Sequence, residues 1–417
     1  MLVHWIWLAT RPGVHDRTKV ELVRHFQDPE AVYFADRDSY LQISGMTEGT
    51  AEALSDKNLS PAEEILDTCR RGRLQILTYQ DAAYPARLKN ISDPPLVFYY
   101  KGTLPDFDAS PLIGVVGTRQ ASAYGLTAAK RMGYQIARCG GIVVSGMAYG
   151  IDGMAMRGAL TAGGTVVGIL GCGADMIYPL SNRSLFEDTE RYGCIMSEFP
   201  PGTPPAKWTF PKRNRIISGI SCGVLVVEAP EKSGALITAH HALDQGRDVF
   251  VVPGNIDVPT FVGSNRLLRE GATVVSSGWD ILSEYEAIYP DKIRKDTALS
   301  HQNAYPDEIE ISVETEKVTH KVAQKPRFMG KKPVKKPEKE NLAIDKAGST
   351  PYSDLDNILP QLSPEEQKIL SALKDGEHLV DDVIAETGIS TCKVLATLTM
   401  LEVKGIVKRL PGRRIRL

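Results

Sequence analysis

The apolar positions change their period along the chain. Up to about residue 70 they recur at helical spacing, with Val20, Leu22, Val23 and Phe26 on one helix face and Ala51, Ala53 and Leu54 on another. From about residue 72 short β-type runs take over, first Leu74 to Leu77 and Leu96 to Tyr100. Strand-like runs then alternate with stretches of helical length. The strands are Leu112 to Val116, Ile142 to Val144, Thr165 to Leu170, Cys194 to Ser197, Gly223 to Val227 and Asp248 to Val252, with Thr273 to Val275 as a further candidate. Apolar runs of this kind, buried on both faces and separated by helices, predict a parallel α/β sheet. Periodicity is lost from about 290 to 357, where Lys331-Lys332-Pro333-Val334-Lys335-Lys336-Pro337-Glu338-Lys339 reads as an extended, solvated linker.

Helical period returns after 357. Ser363-Pro364-Glu365-Glu366 is a helix start with a Ser cap, Pro in the first turn and Glu at the capping-box position. Val380 to Glu386 predicts a second helix and Thr391 to Lys404 a third, followed by two short strands at Gly405–Leu410 and Arg414–Leu417. Helix, helix, turn, helix and hairpin make a winged helix-turn-helix. Its third helix carries Leu395, Leu398, Met400, Leu401 and Val403 and few cations, which favours a protein contact over a DNA groove.

Ligands of parallel α/β sheets bind beyond the carboxyl ends of the strands. Glycine clusters fall there: Gly117-Thr118-Arg119, Ser145-Gly146-Met147-Ala148-Tyr149-Gly150-Ile151-Asp152, Gly171-Cys172-Gly173, Ser233-Gly234-Ala235 and Pro253-Gly254-Asn255. The first, with its backbone N–H groups and Arg fork, suits a phosphate, as do Ser233, Gly234 and Thr238 at the start of a later helix. Asp152 caps the next helix or, alternatively, accepts hydrogen bonds from a base or orients an Arg. The GxGxxG dinucleotide fingerprint and the GxxxxGK[ST] pattern are absent, so neither a dehydrogenase nor a P-loop ATPase is supported.

The densest charge is Lys212-Arg213-Asn214-Arg215, preceded by Trp208, Phe210 and Pro211 and followed by Ile216-Ile217-Ser218-Gly219. Two readings stand: a polyanion site with aromatic faces for bases, or a solvated basic loop capping a helix. The chain of 417 residues has a formal net charge of −2, so any polyanion site is local. Its six cysteines form no CxxC pair and no zinc spacing, and read as core residues of a reducing compartment. No signal peptide or membrane span is expected, and the cytoplasm is the expected location. His240 and His241 lack an identifiable nucleophile or orienting partner, so no catalytic residue, metal or cofactor is expected.

Taken in order, several segments resemble the DNA-processing protein A family (DprA, also called Smf). They are Tyr84-Pro85, Pro94-Pro95 with the following Tyr100-Lys101-Gly102, Val115 to Arg119, Ser145 to Asp152, Leu170 to Asp175 with Tyr178-Pro179, Ser197 to Gly202, Phe210 to Ser218, Val226 to Ala229, Ser233 to Ala239 and Gly246 to Gly254. The resemblance covers about 75 to 280. Leu41-Gln42-Ile43-Ser44-Gly45-Met46-Thr47 resembles the helix-hairpin-helix turn of SAM-like domains, with one glycine where the strong form has two; a plain bundle turn is the reading taken for DNA contact. Met156 stands where family members often carry His.

The resemblance implies an extended Rossmann-like parallel sheet core. It implies a three-part layout, which with the linker read from composition gives four regions: a helical SAM-like domain (1–70), a Rossmann-like DNA-binding domain (71–288), a linker (289–357) and a winged helix (358–417). It also implies a homodimer that binds single-stranded DNA and loads RecA recombinase in natural transformation. The expected DNA contacts are Gly117, Thr118, Arg119, Ser145, Gly146, Gly150, Lys212, Arg213, Asn214, Arg215, Ser233, Gly234 and Thr238, with Arg119, Lys212, Arg213 and Arg215 at the rim of a crevice. Leu236, Ile237, Leu243, Val249 and Phe250 are the candidate self-association surface. The competing reading is a nucleotide-processing enzyme of the lysine-decarboxylase-like group; Pro253-Gly254-Asn255-Ile256-Asp257 lacks that group's PGGxGT pattern.

Overall fold

The computed structural model describes residues 1–43, 45–295 and, in the C-terminal region, 363–373, 376, 378–389, 393–394, 397–398, 401–402, 406–410 and 414–416. These fall in two compact units. The expected Lys/Pro linker lies outside the described residues.

In the first unit nine strands form one sheet. They are β1 (Gln75–Thr78), β2 (Val97–Gly102), β3 (Leu112–Val116), β4 (Ile142–Ser145), β5 (Val166–Ile169), β6 (Cys194–Ser197), β7 (Gly223–Val226), β8 (Asp248–Val251) and β9 (Thr273–Val274). The order is β1-β2-β6-β5-β4-β3-β7-β8-β9. From β6 across to β9 all neighbours pair in parallel. The β2–β6 and β1–β2 pairs are antiparallel, so the parallel sheet read from the sequence gains an antiparallel edge. From β3 the chain winds outward through β4, β5 and β6, then returns to β7 on the other side of β3. The gap between β3 and β7 is therefore the topological switch point, where such sheets hold ligands.

Both faces of the central strands are covered, which is why their sequences are continuously apolar. Helices Ala123–Arg138 and Ile151–Thr161 bury Met132, Ile136, Ala155 and Met156 against one face. Helices Thr209–Ile220 and Gly234–Asp244 bury Ile216, Ile217, Ala239 and Ala242 against the other. The first pair cross closely because Gly133 and Gly158 carry no Cβ; one there would overlap the Ala155 and Lys130 carbonyls.

The N-terminal helices run Leu2–Thr10, Asp16–Phe26, Pro29–Phe34, Arg37–Leu41, Glu48–Ser55 and Ser60–Gly72. Asp28, Asp36 and Thr47 cap the third, fourth and fifth by accepting the backbone N–H groups of Glu30, Ser39 and Thr50. The turn expected near Leu41–Thr47 joins two short helices, with Gly45 at φ +82°. Trp7, Leu8, Leu22 and Leu54 share one apolar core with Leu96, Val97 and Tyr99 of the sheet edge. Among the described residues no helix is long and apolar enough to cross a membrane.

The second unit holds helices Pro364–Ala372 and Val380–Thr387, the first closed by the expected Ser363–Glu366 capping box. Strands His378–Leu379 (β10), Lys408–Leu410 (β11) and Arg414–Arg416 (β12) pair in the order β10-β12-β11, antiparallel throughout. Val394, Leu398 and Leu401, from the expected third helix, are buried with Ile369, Val383 and Ile415. The apolar character of that helix thus serves at least in part its own core. Leu395, Met400 and Val403 lie outside the described residues.

Candidate nucleic-acid interface

An open cleft of about 700 Å³ lies at the carboxyl ends of β3 and β7. One wall is Gly117, Thr118, Arg119 and Gln120; the opposite wall is Lys232, Ser233, Gly234 and Thr238. Lys207, Phe210 and Tyr178 close one side, and Asp152, Arg213 and Asn214 lie beneath. Arg119, Lys207 and Lys232 are exposed, and among the described residues none of them forms a salt bridge. The lining therefore sets four cations against the single carboxylate of Asp152. The Arg119 guanidinium sits over the Phe210 ring at 4.9 Å, and that ring lies 5.7 Å from Tyr178. A cation and two aromatic faces thus form a tier along one side, suited to stacked bases as well as phosphates. Ser233 caps the helix Gly234–Asp244, accepting the Ala235 amide at 3.2 Å, so a helix N-terminus also faces the cleft.

The Lys212–Arg215 cluster does not form a rim. The helix begins at Thr209, ahead of the cluster, and successive residues of a helix point about 100° apart. Arg213 turns inward, donates to the Gly146 carbonyl at 2.9 Å and to the Ile169 carbonyl, and meets the Asn214 amide oxygen at 3.2 Å. Burial lowers its pKa to about 10 despite the pull of Asp152. Arg215, 3% exposed, points elsewhere. It grips Glu198 with both terminal nitrogens at 2.9 Å and donates to Asp93 at 2.8 Å. Burial alone lowers its pKa; Glu198 and Asp93 outweigh burial and raise it. Lys212 lies 2.7 Å from Asp16 of the N-terminal helices and 3.5 Å from Glu198, fastening helices to sheet. Of the four residues, Arg213 and Asn214 reach the cleft, as its floor.

The β4 loop is likewise internal architecture. The buried Ser145 hydroxyl donates to Val115 O at 2.6 Å. A Cβ on Gly146 would overlap the Arg213 guanidinium, and Gly150, at φ +74°, packs on the Thr118 and Arg119 carbonyls. None of the three lines the cleft. Asp152 does not cap its helix: it accepts the Gly146 amide at 3.2 Å and that of Ala148, and burial pushes its carboxyl above the usual range against the pull of Arg213. Asn182 donates to the Met147 and Ala148 carbonyls at 3.1 and 3.3 Å, closing the same loop.

A family model described as DNA recombination-mediator protein A matches residues 75–286, and one described as the DprA winged helix domain matches 355–413. The Protein Smf of Synechocystis sp. is 32% identical over 99% of this chain and 97% of its own length. The DNA processing protein DprA of Bacillus subtilis is 42% identical over 53% of this chain and 74% of its own. The chain belongs to the DprA/Smf family. The crystal structure of DprA from Streptococcus pneumoniae superposes with a TM-score of 0.61 at 31% identity, covering 68% of this chain and 98% of that one. The C-terminal unit of this family member is accordingly a winged helix, and the core is Rossmann-like.

Within this DprA/Smf chain, Met156 is fully buried in the core between helix and sheet, so the departure from the family's common His falls on a packing position. Of the expected stacking rings Phe210 enters the cleft, whereas Trp208, 63% exposed, stands edge-on to Phe199 outside it. Lys207, Lys232 and Gln120 were not expected. They are single polar residues in loops, without the density that marks a cluster; their signal is position, beside β3 and β7 or just ahead of the Phe210 helix. Val249 and Phe250 are core, while Ile237 and Leu243 are exposed on the helix Gly234–Asp244.

Proposed function

We propose that this protein binds single-stranded DNA in the β3/β7 cleft without reading sequence, protects it, and delivers it to RecA recombinase in natural transformation and homologous recombination. One observation carries the reading: Arg119, Lys207 and Lys232 present free charge around the Phe210–Tyr178 pair at the switch point. Phosphates meet the cations, and bases stack on rings that accept any base. The description of the family as a recombination mediator supports the recombinase as partner. The protein acts as a binder in the cytoplasm, with no cofactor in this scheme. It works as a homodimer, pairing through the exposed Ile237 and Leu243 face, because two clefts on one strand gain from effective concentration.

The nucleotide-processing alternative draws less support. The Gly254 amide and carbonyl both bond to Asn265, at 3.4 and 3.1 Å, and Phe261 packs where a Gly254 Cβ would stand, so this loop offers little backbone to a phosphate. Anisotropy titrations with single- and double-stranded oligonucleotides of one sequence, across a salt series, test the proposal. Tighter, sequence-tolerant binding of the single strand is expected; preference for the duplex would overturn it.

A further inference from the structure

Glu228 stands just past β7, fully buried and outside the cleft lining. Each carboxylate oxygen accepts the Ser122 amide at 3.1 Å, and one accepts the Ser122 hydroxyl at 2.8 Å. Its backbone carbonyl accepts the Thr118 amide at 2.7 Å. Gly125 makes room: a Cβ there would overlap the carboxylate. Ser122 in turn caps the 16-residue helix Ala123–Arg138 by accepting the Gly125 amide at 3.0 Å. The carboxylate thus stands at the positive end of a long helix, which offsets the cost of burying it. An open doubly wound sheet commonly seats a ligand's phosphate at such a helix start; here the protein's own anion is there.

Thr118 to Ser122 is consequently tied at both ends to one residue, and this segment carries Arg119. We infer that Glu228 is a positioning residue for strand binding, fixing the loop that aims Arg119 into the cleft. The inference rests on the strand-binding reading above. It differs from a general packing role because its effect on DNA must pass through Arg119.

The full-length Glu228→Gln variant tests it, since one of the two acceptor oxygens that meet the Ser122 N–H and hydroxyl becomes an NH2 donor. Two readouts are taken. Hydrogen exchange of the 117–122 segment should accelerate about tenfold, with the helix Ile151–Thr161 unchanged. Affinity for a single-stranded oligonucleotide should fall about tenfold with Arg119 present and less than twofold in an Arg119→Ala background. Equal losses in both backgrounds, or unchanged exchange, overturn the inference. If Glu228→Gln does not fold, Ser122→Ala runs the same cycle, with about a threefold loss expected only when Arg119 is present. A wild-type protein that fails to bind single strands would sink the strand-binding reading, while the exchange readout still decides whether Glu228 holds the loop.

Discussion

Two groups of cations in the α/β unit are placed in opposite ways, one bonded inside the protein and the other open at a cleft. Lys212, Arg213 and Arg215 are consecutive or nearly so, yet the helix that carries them points each at a different internal partner: Asp16, the Gly146 and Ile169 carbonyls, and Glu198 with Asp93. Arg119, Lys207 and Lys232 are scattered through three loops, yet the sheet topology brings them around one cleft with their charges free. Charge density in sequence therefore says little about a binding site when the dense stretch is helical. Position at the carboxyl end of a strand beside the switch point says more.

The contrast is broken most strongly at Arg215. Arg215→Ala leaves Glu198 buried without its fork, and a loss of about 3–5 kcal/mol is expected in chemical denaturation. Single-strand affinity of the folded protein should barely move. A large affinity loss in a normally stable variant would assign Arg215 to the cleft after all.

Phe210→Ala comes next. Losing one stacking face should weaken binding by about 1–3 kcal/mol for every base composition, with the salt slope preserved. Arg119→Ala and Lys207→Ala should each lower the salt slope by about 0.7, the signature of one phosphate contact on a single strand. Anisotropy at several salt concentrations separates these two kinds of loss; a ring variant that changed the slope would blur them.

The smallest effect is expected at Lys212, whose pair with Asp16 is partly exposed and contributes under about 1 kcal/mol. Burial raises the Asp16 carboxyl, but Lys19 and Lys212 outweigh it and hold it below the usual carboxylate range. A depressed folded pKa means that the stabilisation is present above the ordinary carboxylate value and fades as pH falls through the lower one. Thermal melts should therefore show Lys212→Ala costing most near neutral pH and converging with wild type below pH about 4. A difference that grows on acidification would contradict the pairing.

The sheet was legible because its central strands are buried on both faces and so read as unbroken apolar runs. The switch-point loops were legible as glycine clusters at strand ends. Side-chain direction was not. Pro211 in Phe210-Pro211-Lys212-Arg213-Asn214-Arg215 places a helix start nearby, but not which face of that helix meets the core, and that choice decides where each cation points. The partners that neutralise the cluster, Asp16, Asp93 and Glu198, are remote in sequence and meet it only in the fold. Ser145 and Gly146 occupy a loop of the right composition, but their groups already bond within the protein.

Photo-crosslinking of a halogenated-pyrimidine single strand to the full-length protein, with the adducts located by mass spectrometry, decides whether the strand lies in the β3/β7 cleft. Adducts are expected on Phe210 and Tyr178, competed away by unlabelled single strand and diminished by Lys207→Ala and Lys232→Ala. Adducts confined to Trp208 or to the winged helix, with none on the two cleft rings, would contradict it.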